Sequence, residues 1–192
     1  PRINYDANGE NGALLLEPSR QQLLQFSEYF GSYTAGNQTR TANATTSPEG
    51  LMNSYKLTAT SDFSSLGVTH NLAAATTYTA SFYIKNISAG TAATSSSFPI
   101  RFQAYDLSNS TALLSETYLE DISTSEWKRM TFSFTTTTSA SILVQFVRDL
   151  NNAEEVYIFG AMIEAGSYST SYIPNHGTSG GVTRAADSCS VT

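Results

Sequence analysis

From residue 53 onward, apolar and polar positions alternate with a period of two. That is the pattern of strands that bury one face and leave the other to solvent. Tyr78, Ala80, Phe82 and Ile84 share one side, as do Phe98, Ile100, Phe102 and Ala104. Met130, Phe132 and Phe134 repeat the pattern, as do Ile142, Val144 and Phe146. The spacing predicts eight strands, at about 53–59, 66–72, 78–86, 98–106, 112–120, 128–136, 141–148 and 154–164. Turn-rich segments such as 88–97 and 149–152 separate them. The alternation is clearest in the four sets of residues named first, and the strand at 112–120 has an ambiguous phase, because adjacent Leu113 and Leu114 both ask to be buried.

The first quarter of the chain reads differently. Asn8-Gly9-Glu10-Asn11-Gly12 signals a turn and Ala13-Leu14-Leu15-Leu16 a short strand. Ser19 is placed to cap a brief helix over 20–26, and residues 31–50, rich in Gly, Thr, Asn and Ser, read mostly as loop. Strands with one apolar face need a second apolar sheet to cover them. The expected fold is therefore all-β: a two-sheet antiparallel β-sandwich of the jelly-roll kind, with one short N-terminal helix, forming a single domain over residues 1–192. Jelly-roll crossing places the first, third, sixth and eighth predicted strands in one sheet and the second, fourth, fifth and seventh in the other.

Composition narrows the functional classes. Charged residues make up 14% of the 192 and the formal net charge is −6, so no nucleic-acid partner is expected, since binding phosphates needs clustered Lys and Arg. No apolar run approaches the roughly 20 residues of a membrane helix, so no membrane partner is expected either. The single cysteine, Cys189, allows no intrachain disulfide. The start at Pro1, without Met, reads as a piece of a longer or processed protein.

The strand at 98–106 carries the chemistry of most interest. With its even positions inward, Arg101, Gln103 and Tyr105 line up outward, two residues apart. A guanidinium fork, an amide and a phenol in one row suit a sugar, whose hydroxyls need donors and acceptors and whose C–H faces need flat apolar area. Gln145 faces outward beside this stripe; Glu116 and Tyr118 join from the other side, Asn71 follows if Leu66, Val68 and Leu72 are core, and Arg148 closes one end. Tyr83 and Lys85 are outward on the other sheet, and Trp127 reads as a packing anchor at the sandwich edge. The turn with Asp149, Asn151, Asn152, Glu154 and Glu155 offers calcium-type ligands without EF-hand spacing. His70 and His176 are too few and too isolated for zinc. Catalysis is not signalled: Glu116, Glu120, Asp121 and Glu126 are scattered, Glu154 and Glu155 point to opposite sides of a strand, and no nucleophile elbow or phosphate loop occurs.

Pro1-Arg2-Ile3-Asn4-Tyr5, Leu14-Leu15-Leu16-Glu17-Pro18-Ser19-Arg20, Ser47-Pro48-Glu49-Gly50, Tyr78-Thr79-Ala80-Ser81-Phe82-Tyr83-Ile84-Lys85 and Trp127-Lys128-Arg129 form an ordered set. Gly160-Ala161-Met162-Ile163-Glu164-Ala165-Gly166-Ser167, Thr170-Ser171-Tyr172-Ile173-Pro174 and Val182-Thr183-Arg184-Ala185-Ala186-Asp187 complete it. This order resembles jelly-roll carbohydrate-binding modules of secreted bacterial polysaccharide-degrading enzymes and phage tail proteins. The resemblance implies a non-catalytic module that binds a polysaccharide or oligosaccharide, such as agarose, porphyran or carrageenan, beside a catalytic or virion domain. It implies a secreted, cell-surface or virion location, with a phage structural or host-adhesion role as the alternative. It implies no required cofactor; a structural calcium near the termini is allowed, with Glu17 and Asp187 as candidate ligands.

Overall fold

The structure, a computed structural model, describes residues 2–5, 12–87, 100–114, 117–138 and 140–188. Residues 8–11, 88–97, Phe98, Glu116 and Cys189 of the readings above lie outside the described residues. The chain opens with β1 (Arg2–Tyr5), β2 (Gly12–Leu15) and β3 (Arg20–Gln22). β4 (Thr34–Gly36), β5 (Gln38–Thr41), β6 (Tyr55–Ala59), β7 (Ser64–Leu72) and β8 (Thr77–Asn86) follow. Then come β9 (Arg101–Asp106), β10 (Thr111–Ala112), β11 (Thr117–Tyr118) and β12 (Lys128–Thr135). β13 (Ala140–Leu150), β14 (Glu155–Ala165) and β15 (Val182–Arg184) end the series.

Two antiparallel sheets face each other. One runs β12-β8-β14-β6-β5; the other runs β10-β9-β13-β7-β4, with β11 also on β9. This is the partition that jelly-roll crossing predicts from the alternation. Aromatic side chains lock the sheets together. Phe102 of β9 stacks on Phe132 of β12 with centroids 4.4 Å apart, and Phe146 of β13 meets Phe82 of β8 edge to face at 5.4 Å. All four are buried, and each contributes about 2–3 kcal/mol of apolar transfer.

Three expectations are corrected. The N-terminal helix is absent: residues 20–22 are β3, paired with β15, and the described helical residues are the short 3-10 turn Phe30–Ser32. A single helical turn gains little in isolation, whereas this segment is tied to β14. Gln22 is fully buried, donates to Ala161 O at 2.8 Å and accepts from Ile163 N at 3.0 Å and Leu24 N at 3.1 Å. The predicted strand at 112–120 is two short pieces, β10 and β11, both on β9. Leu113 and Leu114 both pack against the core. Neighbours on a pleated strand point to opposite faces, so the chain bends between the pieces. Finally, the region at 31–50, read mostly as loop, contributes edge strands β4 and β5.

The outer faces of the two sheets differ. Over β14 the N- and C-terminal segments lie flat: Leu23 N donates to Ile163 O and Ala161 N to Ser27 O. Phe159 packs on Tyr172 and Tyr83, and Glu164, fully buried, accepts from Thr170 N at 2.7 Å and lies 3.5 Å from Arg20 Nε. Over β9 and β13 no described segment lies across the sheet, and the outward residues Gln103, Tyr105, Leu143 and Gln145 stay half-buried.

Candidate functional site

β9 alternates as read. Ile100, Phe102, Ala104 and Asp106 are buried while Arg101, Gln103 and Tyr105 point to the outer face. Register sets their partners on β13: Gln103 lies opposite Gln145, Tyr105 opposite Leu143, and Arg101 opposite Arg148. On the far side of β13, Gln145 lies opposite Gly67 and Leu143 opposite Thr69. Two amides thus stand abreast, with a phenol beside an aliphatic side chain one pleat away. They form the floor of an open groove of about 580 Å³.

Three local devices shape the groove. A bulge in β13 falls after Gln145. Simple alternation from Gln145 would turn Arg148 inward; the extra residue buries both Phe146 and Val147 and returns Arg148 to the outer face. Gly67 forms the second device. A Cβ there would lie 2.7 Å from Val144 O and 3.0 Å from Gln145 Cγ, so only glycine lets the Gln145 stem rest across β7. Turn geometry supplies the third. Phe63, at φ 61°, holds an exposed ring at the rim of the groove. Positive φ is costly for an aromatic residue, so this turn is held by its surroundings. Leu107 forms the opposite rim. Its turn is fixed by Asp106, whose Oδ1 accepts from Ser108 N at 2.9 Å and Asn109 N at 3.0 Å. The Asn109 amide donates to Asp106 Oδ2 at 2.8 Å, and these bonds hold the carboxyl below its usual range.

Arg101 is not free to read a ligand. Its Nε donates to Asp149 Oδ2 at 2.6 Å, its Nη2 pairs with the same oxygen, and its side chain is 19% exposed. Arg148 donates through Nη1 to Gln103 Oε1 and places Nε 3.6 Å from Asp149 Oδ1. The ionic lattice orients Gln103, whose Oε1 accepts from Arg148.

Of the eight sequence candidates, Gln103, Tyr105, Gln145 and Arg148 line the groove together. Arg101 sits behind them as their support. Tyr118 is exposed on β11 opposite Arg101, and Asn71 is exposed on β7 opposite Ser141; both flank the groove without lining it. Glu116 lies outside the described residues. Sequence reasoning missed Phe63, Leu107, Leu143 and Gly67. The available signals were an aromatic residue in a polar turn, Ser61-Asp62-Phe63-Ser64, and a glycine inside a strand, which marks a bulge or a close backbone approach.

The proposed calcium ligands are engaged elsewhere. Glu17 accepts from Ser171 N at 2.7 Å and from Arg184 Nη1 at 2.7 Å, and its backbone N–H donates to Asp187 Oδ2 at 3.1 Å. They clamp the two chain ends together. In the turn at 149–155, Glu154 accepts from Asn151 N, Glu155 from Lys56 and Thr58, and Asp149 from Arg101. Among the described residues no three His, Cys, Asp or Glu converge as a metal site. His70 lies half-buried on β7, where burial pushes its pKa down; His176 is exposed. Trp127 donates from Nε1 to Thr46 O at 3.0 Å and so fastens the segment before β6 to the start of β12.

The sequence matches no protein-family model and no curated protein. Solved structures with the same fold exist at low identity. The C-terminal family 22 carbohydrate-binding module of Clostridium thermocellum xylanase 10B superposes with a TM-score of 0.56 at 16% identity, over 87% of this chain and 99% of that one. The N-terminal module of the same enzyme, solved with xylohexaose beside its catalytic module, gives 0.55 at 13%, over 83% of this chain but only 30% of that one. A Stig cyclase from Fischerella gives 0.53 at 15%, over 78% and 100%. Tailspike protein 4 of bacteriophage CBA120 gives 0.51 at 10%, over 76% and 21%. The chain therefore has the sandwich fold of these carbohydrate-binding modules. The same fold also carries an enzyme, so function has to come from the site.

Proposed function

We propose that the chain is a non-catalytic carbohydrate-binding module that holds a polysaccharide in the groove over β9 and β13. The observation that carries this reading is the cross-strand pair Gln103 and Gln145, flanked by Tyr105 and rimmed by Phe63. Amides placed abreast reach vicinal hydroxyls, and the rings offer flat apolar area to sugar C–H faces. The non-catalytic half rests on Asp149. It is the one carboxylate among the described groove residues, and Arg101 and Arg148 hold it as an ion pair rather than leaving it as an acid or base.

The module tethers an attached enzyme to its substrate outside the cell, raising local concentration rather than rate. Marine galactans such as agarose, porphyran or carrageenan are the proposed ligands, on the sequence resemblance alone. Affinity electrophoresis through gels containing agarose, carrageenan, xylan or laminarin tests this. Retardation by at least one polysaccharide, abolished in Gln103→Ala/Gln145→Ala, is the expected result; retardation by none, or an undiminished double variant, rejects the groove. Retardation by xylan alone would keep the module and reject the galactan. The tailspike likeness favours a second reading, a virion spacer or adhesion domain, for which light scattering would show a trimer.

A further inference from the structure

A second concavity, of about 420 Å³, shares no lining residue with the groove. Its volume falls within the range of about 300–1,000 Å³ usual for small-molecule sites. Three rings form its walls. Tyr29 meets Phe26 at 5.9 Å and 71°, and meets Tyr55 at 6.3 Å and 76°. Tyr55 is buried, whereas Tyr29 is 56% exposed and yet fixed in place. A Cβ on Gly31 would lie 2.8 Å from Tyr29 Cζ, so the ring rests directly on the glycine backbone.

The polar groups here are mostly acceptors. Glu28 is largely buried, accepting from Tyr172 Oη at 2.9 Å and from Asn53 Nδ2 at 3.0 Å. Glu49 stands close enough to Glu28 that its pKa is raised, first by partial burial and then by the like charge. Asn53 Oδ1 is buried and has no protein partner among the described residues. The cations nearby compensate the Glu28 charge weakly: His176 is 68% exposed, with Nδ1 3.9 Å from Glu28, and Arg40 Nη1 is turned away to Phe30 O and Tyr33 O.

We propose that this concavity binds a small cationic amine, with Phe26, Tyr29 and Tyr55 as its walls, Glu28 as its counter-charge and Glu49 as a second negative charge close by. Ring faces attract a cation and edges repel one. Aromatic walls beside the Glu28 carboxylate therefore favour a cation over a neutral or anionic ligand of equal size. The amine of an unacetylated amino sugar and a quaternary ammonium group share this chemistry, and the proposal is independent of the groove over β9 and β13.

Two-dimensional amide NMR of the full chain, titrated with D-glucosamine at pH 6, with choline and with N-acetyl-D-glucosamine, tests it. Saturable shifts at Tyr29, Asn53 and His176 with either amine, and none with the acetylated sugar, are expected. Response to glucosamine alone assigns the source to sugars; response to choline alone assigns it to quaternary ammonium. Tyr29→Ala and Glu49→Gln, both exposed positions, each weaken affinity about two- to fivefold. Gly31→Ala, which displaces the ring while keeping it, weakens affinity as well, and Gln145→Ala leaves it unchanged. An equal response to N-acetyl-D-glucosamine, the lack of a saturable response to both amines, or full affinity in both Tyr29→Ala and Glu49→Gln overturns the proposal.

Discussion

The outer faces of the two sheets carry opposite kinds of polar residue. Over β14, polar side chains are buried and engaged: Gln22 has three backbone partners, and Glu164 accepts from Thr170 and lies 3.5 Å from Arg20 Nε. Over β9 and β13, Gln103 and Gln145 stay at the surface, with Gln145 supported by a glycine and Gln103 oriented by Arg148. Amides thus serve as structure on one face and, in the proposed function, as ligand contacts on the other. Removing Gln22 or Gln145 should separate the two roles, because the buried amide strands its backbone partners and Gln145 has no such buried partners to strand.

The largest effect belongs to neither face but to the core they share. Phe102→Ala removes the ring stacked on Phe132 and leaves a cavity between the sheets. A loss of about 3–5 kcal/mol is expected in urea unfolding. A loss below about 1 kcal/mol would mean that β9 is not anchored across the sandwich, and the groove would then have no rigid floor.

Gln22→Ala comes next. It leaves Ala161 O, Leu24 N and Ile163 N without their side-chain partner in a fully buried setting. Each stranded group costs about 1–3 kcal/mol before relaxation, so a net loss near 3 kcal/mol is expected. Amide exchange should rise first along 161–163, while β9 keeps its protection. If β9 exchanged equally, the cover over β14 and the open face would be one cooperative unit.

These effects bear on what the sequence could disclose. Strand positions and their division between sheets were legible because Phe82, Phe102, Phe132 and Phe146 each sit in a strict two-residue rhythm. The cover over β14 was not, because its signal lies in contacts between residues about 140 apart in sequence, such as Gln22 with Ile163. A polar Gln beside Leu23 and Leu24 looks like a helix edge until its partners are known. At the site, alternation found Gln103, Tyr105 and Gln145, whose facing depends only on local pleat. It could not give the bulge that returns Arg148 outward, nor the pairing that engages Arg101 with Asp149, since both arise from register with a neighbouring strand. Phe63 was hidden for a related reason: its position depends on a positive φ that no side-chain pattern records.

On the open face, Gln145→Ala should change stability by no more than about 0.5 kcal/mol, as for other surface positions free of strain. Retardation in the polysaccharide gel should nevertheless fall by about tenfold, the worth of one lost amide contact of about 1.4 kcal/mol. The contrast with Gln22→Ala is the sharpest test of the comparison, because the chemical change is the same at both positions. A Gln145→Ala variant destabilised by several kcal/mol would show that this face is structural too.

The smallest effect is a pH dependence at the groove rim. Hydrogen bonds from Asn109 and Ser108 hold the Asp106 carboxyl below its ordinary value of 3.8. A carboxyl depressed on folding adds stability above its unfolded pKa and loses it as pH falls through the lower folded value. The turn carrying Leu107 should therefore stay intact at neutral pH and loosen only below about pH 4. Amide exchange of Ser108 and Asn109, followed from pH 6 to pH 3, should show that loosening, and Asp106→Asn should remove its pH dependence. Protection factors, the exchange rates corrected for the intrinsic pH dependence of the amide, that stay flat across this range would mean that the rim is held by packing alone, and the groove would then keep its shape in acid.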